Sequence, residues 1–60
     1  MHEREALLKK HSEYLAKAEE AAKMGRQAKG ELAQQTFQKI ADSWKQLAAS
    51  VEAALRRNPN

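Results

Sequence analysis

The apolar positions of this chain fall into two helical stretches, parted by a segment that holds both of its glycines. In the second stretch Ala33, Phe37, Ile40, Ala41, Trp44, Leu47, Ala48, Val51, Ala54 and Leu55 recur at spacings of three and four. Those spacings bring all of them to one side of an α-helix. They predict a helix over 31–57, with Arg56 and Arg57 suited to its carboxyl end, Asn58 available as a left-handed cap and Pro59 as a stop. The first stretch repeats Leu8, Leu15 and Ala22 at seven residues, with Leu7, Tyr14, Ala21 and Ala28 in the adjacent row and His11 and Ala18 between. This predicts a helix over 3–28 with one apolar face. Glu3 and Glu5 lie at its positive end, and Glu5–Lys9, Glu13–Lys17 and Glu19–Lys23 have the favourable i,i+4 order.

The break falls between Gly25 and Glu31. Gly30 follows a lysine and reads as a left-handed stop, giving a turn at 29–30; a stop at Gly25 with a longer loop is the alternative. Gly25 lies on the apolar face, where a missing side chain lets a second helix approach. Two helices joined by a short turn run antiparallel. The expected fold is all-α, a single two-helix antiparallel hairpin over 1–60 with a tail at 58–60.

The stripe on the second helix is broader than one short helix covers, which points to an interface. Two hairpins pairing about a two-fold axis form a four-helix bundle. The row Ala33, Ile40, Leu47, Ala54 reads as packing within the hairpin, and Phe37, Trp44, Val51 with Ala41, Ala48 and Leu55 as the face a second molecule covers. The interface residues expected are Tyr14, Leu15, Phe37, Ile40, Trp44, Leu47 and Val51. Length agrees: at 60 residues a hydrophobic core is marginal, and such chains usually use a staple, a metal or a partner. Cysteine is absent, so the staple is not a disulfide.

Charge changes little. The formal net charge is +3, but residues 1–30 carry seven Lys/Arg against five Glu, and 31–60 carry four against three acids. A nucleic-acid binder concentrates its positive charge in a patch or stripe. Here the one hint is that Lys9-Lys10 and Arg56-Arg57 meet at the open end of the hairpin. An RNA- or DNA-binding hairpin dimer is the second reading.

The residues that carry chemistry are sparse. His2 and His11 are nine apart, on opposite sides of a helix, and no HExxH or Glu-x-x-His spacing occurs. Glu19 and Glu20 point about 100° apart on a helix. Ser12, Ser43 and Ser50 have no histidine aimed at them, and neither glycine precedes the Lys-Ser/Thr ending of a phosphate loop. Phe37 and Trp44 sit among Ile40, Leu47 and Val51, as core aromatics do, rather than on an exposed basic stacking platform. Neither an enzyme nor a metal or cofactor is expected. Apolar runs are short and no signal-peptide core follows the amino terminus, so a cytoplasmic, membrane-free protein is expected.

Tyr14, Ala18-Glu19-Glu20, Met24-Gly25, Ala28, Ile40-Ala41, Trp44 and Leu47-Ala48 form a pattern over about residues 14–48. It resembles a group of short bacterial helical-hairpin proteins that carry a tyrosine, an Ala-Glu-Glu run and a closing (Leu/Ile)-Ala-x-x-Trp-x-x-Leu-Ala segment. The resemblance implies the hairpin and brings no assigned activity. Ala21 stands where that group often has cysteine, which implies no thiol chemistry. Gly25 replaces a common alanine, and Gly30-Glu31 replaces an Asp-Pro turn. From the residues and the resemblance together, the expected role is a small interaction or regulatory module acting through a homodimer or another protein partner.

Overall fold

A computed structural model describes residues 2–57 of the chain. Two helices account for almost all of them: α1, His2–Gln27, and α2, Glu31–Arg57. They pack side by side as an antiparallel hairpin measuring 46 × 14 × 9 Å. The expected cap and stop at Asn58 and Pro59 lie outside the described residues. Charge favours both helices at their ends. Glu3, Glu5 and Glu31 occupy first turns, and Arg26, Arg56 and Arg57 occupy last turns, each opposite in sign to the local end of the helix dipole.

The connection is tighter than a left-handed stop would make it. Neither glycine has positive φ. The last turn of α1 closes with the Ala28 amide donating to the Gly25 carbonyl at 3.3 Å, and α2 begins with the Gln34 amide donating to the Gly30 carbonyl at 2.9 Å. Gly30 is therefore the N-cap of α2, not the residue that ends α1. The side chain of Gln34 then reaches back, its Nε2 donating to the Ala28 carbonyl at 3.0 Å. One residue thereby satisfies a carbonyl left over at the end of α1 and opens α2. The alternative of a stop at Gly25 does not occur, since α1 continues to Gln27.

Between the helices runs a seam of alternating four- and three-residue spacing. α1 contributes Leu7, His11, Tyr14, Ala18, Ala21 and Gly25, with Ala28 just past its end; α2 contributes Phe37, Ala41, Trp44, Ala48, Val51 and Leu55. The buried members are nearly all small: Ala18, Ala21, Gly25, Ala41 and Ala48, with Val51 the largest. Small side chains let the backbones come close, and at Gly25 the approach is tight. A Cβ placed there would lie 3.2 Å from the Phe37 Cβ and 3.7 Å from the Gln34 carbonyl oxygen.

This seam reverses the expected division of the α2 stripe. Phe37, Ala41, Trp44, Ala48 and Val51 face α1, while Ala33, Ile40 and Leu47 lie outside on the surface. The reason is steric. Phe37 meets the one position of α1 that lacks a side chain, Gly25, and Trp44 meets the Tyr14 ring, while the alanines between them let the backbones come close.

Candidate functional site

At mid-length the Tyr14 and Trp44 rings meet with centroids 5.7 Å apart and planes inclined by 32°. An aromatic pair in this arrangement contributes about 0.5–1.5 kcal/mol beyond the area it buries. Both rings are only half-buried, so each keeps an edge at the surface. Toward the open end His11 Nε2 donates to Glu52 Oε2 at 3.1 Å, and Arg56 Nη2 donates to the other carboxylate oxygen at 3.5 Å. A carboxylate only accepts, so the imidazole proton in this contact sits on Nε2. His11 is thus a packing residue pinned across the seam. Because Glu52 holds Arg56, it also interrupts the basic patch expected where Lys9-Lys10 and Arg56-Arg57 converge.

The seven residues expected at an interface separate into two groups. Tyr14, Phe37, Trp44 and Val51 belong to the intramolecular seam. Leu15, Ile40 and Leu47 stay on the surface, with relative exposures of 45%, 40% and 45%. Leu8, Met24 and Leu32 join them as large exposed apolar side chains. Leu8 and Leu15 lie on one side of the hairpin, the side on which Ala22, Gln38 and Lys45 line a shallow open groove. Ile40 and Leu47 lie on the other, where Lys10 and Ala54 line one groove and Lys17 and Trp44 another.

Three residues outside the expected set mark the second side: Thr36, Ser43 and Ser50. Each hydroxyl donates to the carbonyl four residues before it, Thr36 to Leu32 at 2.9 Å, Ser43 to Lys39 at 3.0 Å and Ser50 to Gln46 at 3.1 Å. Hydroxyls bonded in this way demand nothing further from solvent, and they are not poised as nucleophiles. The sequence signal for this row is the absence of charge at these positions rather than the presence of large apolar groups.

Among the described residues no group of three or more His, Cys, Asp or Glu is placed to hold a metal ion, and no buried side-chain polar atom lacks a partner. No described helix is long and apolar enough to cross a membrane. Glu19 pairs with Arg26 at 3.7 Å instead of with Lys23, an exposed contact worth at most about 1 kcal/mol. Comparison with protein-family models, with curated proteins and with solved structures finds no match.

Proposed function

We propose that this chain is a non-enzymatic interaction module that works as a homodimer, two hairpins joined in a four-helix bundle whose outer surface is available to a protein partner. The supporting observation is its surface area. The hairpin exposes 4974 Å² for a mass of 6.8 kDa. A compact monomer of that mass exposes about 4000 Å². The excess of about 1000 Å² is close to the roughly 800 Å² that each partner gives to a stable protein interface. The seam points the same way: with only Val51 among its large side chains buried, it leaves Ile40, Leu47, Met24, Leu8 and Leu15 half in water. An elongated two-helix layer of this kind gains most by packing against a second layer.

The test is the mass in solution. Sedimentation equilibrium at micromolar concentration is expected to return twice the 6.8 kDa chain mass. A folded species at the single-chain mass overturns the proposal. Retention on nucleic acid that falls steeply with salt, with a slope in log K against log salt set by several phosphate contacts, would replace it with the nucleic-acid reading.

A further inference from the structure

α2 carries a second seam. Beside the row that faces α1, the residues Thr36, Ile40, Ser43, Leu47, Ser50 and Ala54 repeat at spacings of four and three along the same helix. At 100° per residue this row lies about 90° around α2 from the first. It contains no charged side chain, although α2 carries Glu31, Lys39, Asp42, Lys45, Glu52, Arg56 and Arg57. All seven lie outside the arc that the two rows span. The row's hydroxyls are each bonded to their own helix backbone, so covering them strands no donor. The corresponding arc of α1, on the same side of the hairpin, holds Lys10, Glu13, Lys17 and Glu20, of both signs, so the apolar part of that side belongs to α2.

We infer that this row of α2 is the self-pairing surface, and that the α2 helices of two copies pack antiparallel against each other about a two-fold axis passing near Ser43. The assignment rests on the homodimer reading and specifies its face. The row is self-complementary under such an axis. The midpoint between Ile40 and Leu47 falls between Ser43 and Trp44, so Ile40 of one copy stands opposite Leu47 of the other. A small residue beside the axis admits close helix approach, and the aliphatic pair on each side fills the space above and below it. Met24, exposed near the turn on the same side, extends the apolar strip. Leu8 and Leu15, on the far side beside Lys45 and Glu52, are left out of the contact.

The wild-type chain has no cysteine, so single cysteines report the axis cleanly. Ser43→Cys is expected to form a disulfide-linked dimer on mild oxidation, and Asp42→Cys, one residue further round the helix, is expected to stay single. In sedimentation, Ile40→Lys with Leu47→Lys is expected to bring the mass down to one chain, while Leu8→Lys with Leu15→Lys remains a dimer. If the first pair of lysines unfolds the chain, the cysteine comparison decides. Linking through Asp42 in place of Ser43, or dissociation by the Leu8/Leu15 pair alone, overturns this face while leaving the homodimer intact. A wild-type monomer overturns both.

Discussion

The two glycines have different roles, and single substitutions separate them. Gly25 sits inside α1 where the backbones are close, and a bulky side chain has nowhere to go because its nearest neighbours are the Phe37 Cβ and the α2 backbone. Gly25→Leu is expected to lose about 1–3 kcal/mol, the usual cost of overpacking. Gly25→Ala is expected to stay near neutral, since a helix-propensity gain of about 1 kcal/mol offsets the tight 3.2 Å contact. Gly30 has open space around its Cα and no positive φ. Gly30→Ser supplies an N-cap hydroxyl and restricts the unfolded chain, and is expected to add about 0.5–1 kcal/mol. Urea denaturation followed by circular dichroism reads all three. At the middle of the seam, Trp44→Ala removes the ring that meets Tyr14 and is expected to cost about 2 kcal/mol, less than the roughly 3–5 kcal/mol typical of a fully buried aromatic. A loss below about 0.5 kcal/mol in the same assay would mean that the aromatic pair is not part of the hairpin's core.

At the scale of the element, α2 is a helix with two apolar rows, and that explains what the sequence disclosed and what it withheld. Helix type, approximate ends and antiparallel pairing follow from three-and-four spacing and the glycine-bearing break, and all are present in the fold. The role of Gly25 as a point of close approach is also legible, because an interior glycine on an apolar face has few other uses. Which of the two α2 rows faces inward is not legible. Periodicity locates a stripe but does not say which half of it α1 will take. That choice depends on fitting Phe37 against Gly25 and Trp44 against Tyr14, a matter of shape across the pair. The turn chemistry escapes a sequence reading for a related reason. A glycine after a lysine resembles a left-handed stop, and only the Gln34 bonds to Gly30 and Ala28 show that it caps the next helix. Removing that bridge with Gln34→Ala is expected to cost about 1 kcal/mol, the net worth of one hydrogen bond. The three hydroxyls of the outer row serve their own backbone. Replacing Thr36, Ser43 and Ser50 together by alanine is therefore expected to raise helicity and to leave the dimer mass unchanged, because alanine is the better helix former.

For the whole molecule the governing fact is shape. A sixty-residue compact domain has a radius of gyration of about 10 Å; this hairpin has 13.9 Å, with its smallest extent only 9 Å. A layer one helix thick has no interior beyond its seam, and the seam is lined mainly with alanine. In the proposed dimer a second copy supplies the missing layer, which ties folding to concentration. Each tenfold rise in concentration favours a folded dimer over unfolded chains by about 1.4 kcal/mol. For two sixty-residue chains this corresponds to roughly 5 °C in Tm. The decisive measurement is thermal unfolding by circular dichroism at about 2, 20 and 200 µM, for which a rise in Tm of about 10 °C across the series is predicted. A Tm that stays fixed over that range would contradict the dimer, since it would mean that the hairpin folds alone.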